Sequence, residues 1–185
     1  MQVPPPSSPG SAGAPIWLED AGQVLLSVYL ERLFKHLGLV EAGRFVDGPA
    51  QARGVLCLQA LVRGEEPSSE PFWPLSKLLC GVAPSELLPS CAPLSAEDHA
   101  LLAQLLGAVI AHWKALGSTS VAGLRESFLQ REGRLERQGA DHGEPQAWRL
   151  KVQPRAFDML LDRLPWSFST IKLPWMQGVL HVEWR

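Results

Sequence analysis

The spacing of apolar residues changes partway along this chain, and that change limits the fold more than any other feature. As far as Phe128 the apolar side chains recur at steps of three and four, the period of a helix with one buried face. From Trp148 they alternate with polar residues, the period of a strand with one buried face. Separate blocks of the two periods build an α+β fold. We expect about five helices over the N-terminal two-thirds, then a small antiparallel sheet with one short helix at the C-terminal end.

Local signals place the elements. Residues 1–15, MQVPPPSSPGSAGAP, hold too little apolar surface to offset the cost of ordering and are expected to form a disordered tail. Residues 16–185 are then one compact domain, helical over 20–135 and mixed strand and helix over 147–185, with residues 138–146 as a mobile loop between. The first helix is expected from Asp20, as its cap, to Leu37, with Gly38 ending it. Its apolar residues spread round most of its circumference, so it is either the centre of the domain or partly covered by another subunit. A second helix spans Pro49 to Arg63, with Asp47 near its cap and Gly64 after its end. A polar loop, Glu65 to Pro71, leads to a short helix from Pro74 through Leu79, stopped at Gly81.

Pro84 to Pro93 reads as loop. Ser95 and Asp98 then resemble a capping box, opening a helix whose stripe is Leu102, Leu105, Val109, Trp113 and Leu116, ended by Gly117. Ser118 to Ser120 can cap a fifth helix carrying Val121, Leu124 and Phe128, closed by Gly133. Strands follow at Trp148–Val152, at Ile171 and Leu173, and at Leu180–Trp184, with a short helix from Arg155 to Leu164.

Composition narrows the function. The 185 residues carry 17 basic and 19 acidic side chains, a net charge of -2, so no basic excess exists to neutralise phosphates and nucleic acid is not an expected partner. Cys57, Cys80 and Cys91 are too few and too scattered for a disulfide framework or a metal site. No apolar run reaches the roughly 20 residues that span a bilayer, and no signal peptide is visible. The chain has no Gly-x-Ser-x-Gly elbow, no phosphate loop and no dinucleotide fingerprint. The adjacent acids Glu19-Asp20 and Glu65-Glu66 read as solvated turns, and His112 reads as a flank of the core stripe. We therefore expect no catalytic residue, metal, cofactor or small-molecule substrate.

Two features point to binding instead. Seven tryptophans stand against one tyrosine, and Trp166, Trp175 and Trp184 crowd the last 20 residues. Each LPW run puts a ring after a proline that fixes the local backbone. Either these rings close the domain over its helices, or Trp166, Pro174, Trp175, Met176 and Trp184 form an interface, with the last strand as an open edge. The charged run from Arg125 to Arg137 is likewise either a solvated helix face or a docking surface that includes Arg125 and Arg131.

Several strings together resemble one family. They are LLSVYLERLFKHLGL, KLLCG, HWKALGSTSVAGLRESFLQREGRL, LKVQPRAFDMLLDRLPWSFSTIKLPWM and LHVEW. In this order they are similar to the tape measure proteins of contractile injection systems, over roughly Trp17 to Arg185. The resemblance implies a non-enzymatic structural part of a phage-tail-like particle in bacteria. Its partners would be baseplate, hub or inner-tube proteins, and its location cytoplasmic during assembly and inside the finished particle. An adaptor or chaperone for an injected cargo is the alternative, with an enzyme of unfamiliar site behind both. A ruler is a poor description of this chain. Even 185 helical residues would reach only roughly 280 Å, and 16 prolines and 16 glycines forbid such a rod. A folded domain of this length has a radius near ~16 Å, which suits an anchoring or recognition part.

Overall fold

The computed structural model describes residues 13–64, 73–139 and 146–185. Most of the expected tail, the polar loop at Glu65 to Pro71 and most of the loop at 138–146 lie outside the described residues.

Where capping chemistry was legible the helices start as expected, and the second and third also stop as expected, whereas the fourth ends at His112 and a separate 3-10 turn, Lys114–Leu116, leads to Gly117. Helix α2 covers Gly48–Arg63, with the Asp47 carboxylate accepting from the Ala50 N–H at 2.7 Å and Gly64 ending it at φ +82. Helix α3, Pro74–Leu79, ends before Gly81 at φ +75. Helix α4, Ala96–His112, opens with a complete capping box: the Ser95 hydroxyl accepts from the Asp98 N–H, and the Asp98 carboxylate accepts from the Ser95 N–H. Those exchanges satisfy donors that the first turn otherwise leaves without partners.

The first helix differs from expectation. A tight 3-10 stretch, Ala21–Leu26, precedes α1, Ser27–His36, and Asp20 makes no side-chain cap. Its carboxylate is buried and accepts from Gln59 Nε2 at 2.8 Å instead. Within this stretch lies Gly22, where any Cβ would sit 1.6 Å from the Phe128 carbonyl oxygen. Two backbones touch there, and only glycine permits it.

The fifth helix also stops early. Helix α5, Val121–Leu124, runs into one π-helical turn, Arg125–Leu129. Gly133–Gln138 is then a strand rather than the end of a helical block reaching residue 135. Its inward positions are Gly133 and Leu135 and its outward ones Arg134 and Glu136. One apolar side chain in six residues hides a two-residue period.

Seven strands are present among the described residues: β1 Ile16–Leu18, β2 Val40–Glu41, β3 Arg44–Phe45, β4 Gly133–Gln138, β5 Ala147–Val152, β6 Thr170–Ile171 and β7 Val179–Glu183. The first three were not anticipated. β2 and β3 form a small hairpin that turns at Ala42 and Gly43, both left-handed at φ +50 and +75. The other five form one sheet in the order β1-β4-β5-β7-β6. The sheet is mixed rather than antiparallel, because β5 and β7 run parallel with Trp148 opposite Leu180 and Leu150 opposite Val182. A parallel pair needs a long crossover, and the chain between them supplies one, including a 3-10 helix at Ala156–Arg163 and strand β6.

The helices cover one face of this sheet. Leu18, Leu135, Leu150, Leu180 and Val182 point into a hydrophobic cluster that extends from Leu18 to Trp184. The opposite face carries Trp17, Arg134, Glu136, Arg149, Lys151 and Glu183. It is laced by ion pairs such as Arg134–Glu136 at 2.7 Å and Arg149–Glu183 at 3.1 Å. These pairs are partly exposed, so each adds little stability.

Candidate docking surfaces

The residues expected at an interface are mostly used inside the protein. Arg131 is 0% exposed and lies on the Phe157 and Trp184 rings, 5.7 and 5.0 Å from their centroids. Its guanidinium donates to both oxygens of Asp158, at 2.7 and 2.8 Å, and to the Ser127 and Gln153 carbonyls. Asp158 also accepts from the Arg155 N–H and from Trp184 Nε1. Burial acts to raise the Asp158 carboxyl, but the hydrogen bonds from Arg131, Arg155 and Trp184 outweigh it, and the net shift is downward. The cluster ties three segments that are distant in sequence: residues 127–131, residues 153–158 and Trp184.

Three of the other candidates donate to helical carbonyls. Trp175 Nε1 donates to the Leu79 carbonyl in the last turn of α3, and Trp166 Nε1 donates to the Leu25 carbonyl, each at 2.8 Å. Arg125 Nε donates to the Leu61 carbonyl at 2.9 Å, beside the bond from Gln130 Nε2 to the Val62 carbonyl. The last carbonyls of a helix lack partners within it, and Trp175 supplies one for α3 and Arg125 and Gln130 for α2, while Trp166 binds a carbonyl just before the 3-10 stretch passes into α1. Trp175 packs on Phe34 and Phe45, and Trp166 on Tyr29 and His112. Met176 is buried, whereas Pro174 is exposed against the Gly43 turn. Strand β7 is not an edge, since β5 and β6 flank it on both sides.

Among the described residues the sheet has an edge at β1, and a groove of about 630 Å³ lies beside it. Trp17, Trp73, Pro74 and Val152 give it apolar surface, and Glu19, Arg63, Glu132, Arg134 and Lys151 give it charge of both signs. Trp17 is 72% exposed and held against the Arg134 guanidinium, 5.7 Å from its ring centroid. A smaller depression continues from it past Glu19, Arg63 and Glu132 to Gln130 and Arg155. Asp20 and Trp73 also line the groove, and one carboxylate oxygen of the first and the indole N–H of the second have no hydrogen-bond partner among the described residues.

Beneath Asp20 runs a buried polar chain. Gln59 Nε2 donates to Asp20 and to the Ser76 hydroxyl, and Ser76 donates to Gln23 Oε1, each at 2.8 Å. Burial raises the Asp20 carboxyl, against the hydrogen bond from Gln59 and the charge of Arg63. Spacing alone could not find this groove, because its walls come from residues 17–20, Arg63 at the end of α2, Trp73 and Pro74 at the start of α3, and the ends of β4 and β5. The one visible signal was a set of glutamines and a serine, Gln23, Gln59 and Ser76, on otherwise apolar helical stripes.

Little in this arrangement is reactive. Burial, with Cys57 adding to it, pushes the Cys80 thiol well up, so the thiolate is disfavoured. Among the described residues no group of three or more metal-ligating side chains converges, and no helix is long and apolar enough to cross a membrane. Layered helices on a mixed sheet, with polar side chains spent on packing and a groove at the sheet edge, define an α+β protein whose outward features are surfaces. The family model for contractile injection system tape measure proteins matches residues 2–184, nearly the whole chain, and the chain belongs to that family. No curated protein and no solved structure matches it.

Proposed function

We propose that the protein is a non-enzymatic assembly component of a contractile, phage-tail-like particle, docking on the baseplate, hub or tube end through the groove beside β1. Family membership supports the setting. The single observation that supports the docking mode is the pairing of an open three-residue sheet edge with a Trp17 ring that is 72% exposed. A large apolar side chain so exposed beside a concave surface of mixed charge is what a buried anchor and polar rim look like before their partner arrives. An extended segment of a particle protein would add to the β1 edge and lay a side chain against Trp17. Length control would then reside in the partners, since a folded body near ~16 Å in radius is no ruler.

The non-enzymatic reading rests on family membership. The test is assembly. Particles made without this protein should have absent or irregular tubes, and particles made with Trp17→Glu should contain less of it. Normal particles lacking the protein would refute the role, and recovery of the chain only as free protein would favour a cargo adaptor.

A further inference from the structure

Buried polar atoms without partners gather in one place. Among the described residues, five side-chain nitrogen or oxygen atoms are buried with no hydrogen bond, and three of them belong to residues lining the groove beside β1: Asp20 Oδ1, Trp73 Nε1 and Arg134 Nε. Folded chains rarely leave such atoms unmatched, because each has given up water and gained no replacement. Asp20 and Trp73 are only 4% and 5% exposed. Arg134 keeps an ion pair with Glu136, 2.7 Å from Nε, but makes no aligned hydrogen bond there.

The chemistry of the three atoms defines what is missing. Two N–H groups lack an acceptor, and one carboxylate oxygen lacks a donor. A carboxylate or phosphate would bring acceptors only, and an ammonium or guanidinium donors only. The groove's own charges also balance, with Glu19, Asp20 and Glu132 set against Arg63, Arg134 and Lys151, so its field selects neither sign. A peptide main chain is neutral and carries an acceptor and a donor in each unit. The open edge of β1 lies alongside to align one.

We propose that the segment docking in this groove is read through its main chain, its carbonyls accepting from Trp73 Nε1 and Arg134 Nε and one of its N–H groups donating to Asp20 Oδ1. This rests on the docking reading above and adds the class of ligand: an extended, uncharged stretch whose side chains matter little except where one meets Trp17. The three atoms are shut from bulk water, so the groove wall must yield as the segment enters. The Arg134 side chain, 33% exposed, and Trp17, 72% exposed, are the parts placed to move.

Indole N–H signals in a proton–nitrogen correlation spectrum test this, because Trp17 and Trp73 each give one. The probe is an acetylated, amidated pentapeptide, Ala-Thr-Val-Thr-Ala, taken to about 10 mM because so short a ligand binds weakly. The Trp73 indole proton should move downfield as it gains an acceptor, Trp17 should move with it, and Trp113, already bonded to the Leu160 carbonyl, should stay. The same peptide N-methylated at both threonines should bind at least about tenfold more weakly. Asp20→Asn should weaken the unmodified peptide similarly. Gln59 Nε2 donates to this side chain and would hold the asparagine oxygen, leaving the new NH2 to meet the peptide N–H donor to donor. A Trp73 signal unmoved at the highest concentration overturns the proposal, as does equal binding of the N-methylated peptide or undiminished binding by Asp20→Asn. Particle incorporation separates the two readings. Loss with Trp17→Glu but not with Asp20→Asn leaves docking in place and overturns main-chain recognition, whereas peptide binding by a chain that particles do not need overturns the docking reading alone.

Discussion

Removing the Asp158 carboxylate is the sharpest test of how the C-terminal segment is held. Asp158→Ala deletes the acceptor of four N–H groups: two from Arg131, one from the Arg155 backbone and one from Trp184. Arg131 is then left 0% exposed with a full charge and only the Ser127 and Gln153 carbonyls as partners. Breaking a buried pair from one side costs about 3–5 kcal/mol, because the remaining charge is uncompensated. For a protein of this size each kcal/mol lowers the melting temperature by about 2–4 °C, so the variant should melt roughly 6–20 °C lower. Replacing both partners, as Arg131→Met with Asp158→Leu, removes the stranded charge and should recover much of the loss.

The pH dependence of the wild type has a definite sign. The folded Asp158 carboxyl is shifted down, so its contribution is complete above the ordinary carboxylate value near ~4 and is lost as pH falls through the lower folded value. Urea melts at pH 7 and pH 3 would read it, and Asp158→Ala should lose less on acidification than wild type. A loss under about 1 kcal/mol for Asp158→Ala, or a double variant no better than the single, would refute the assignment of the pair as the clamp.

Two smaller predictions follow from local strain and burial. Ala42 holds a left-handed φ of +50 in the β2–β3 turn, so Ala42→Gly should relieve strain and raise stability by about 0.5–1 kcal/mol in a thermal melt; a fall would show that the turn is not strained. Asp20 is the reverse case of Asp158. Its folded carboxyl is shifted up, so folding is penalised increasingly as pH rises from near ~4 through the folded value. Asp20→Asn should therefore be more stable than wild type at pH 7 and lose that advantage near pH 3.5. An equal gain at both values would place the cause elsewhere.

Much of the helical part could be read along the chain because its signals are local. Asp47, Ser95 and Asp98 cap neighbours three residues away, and Gly38, Gly64 and Gly81 stop helices through their own left-handed backbones, whereas α4 ends at His112 and Gly117 follows the 3-10 turn Lys114–Leu116. The alternation at Trp148–Val152 and Leu180–Trp184 likewise reported two inward faces before any pairing was known. What tertiary structure alone decided is how those pieces meet. A strand with one apolar side chain, β4, becomes central only because β1 and β5 are there to pair with it. Parallel pairing of β5 and β7 depends on a crossover, to which alternation is blind.

Arg131 shows the same division. Within a charged run it read as a solvated or docking residue, and it is buried only because Asp158, Gln153 and Trp184 arrive from 22 or more positions away. The groove beside β1 needs five separate segments to exist at all. Short-range hydrogen bonds and periodicity are properties of the chain, whereas burial is a property of the assembled whole; elements were legible in the residues, and surfaces were not.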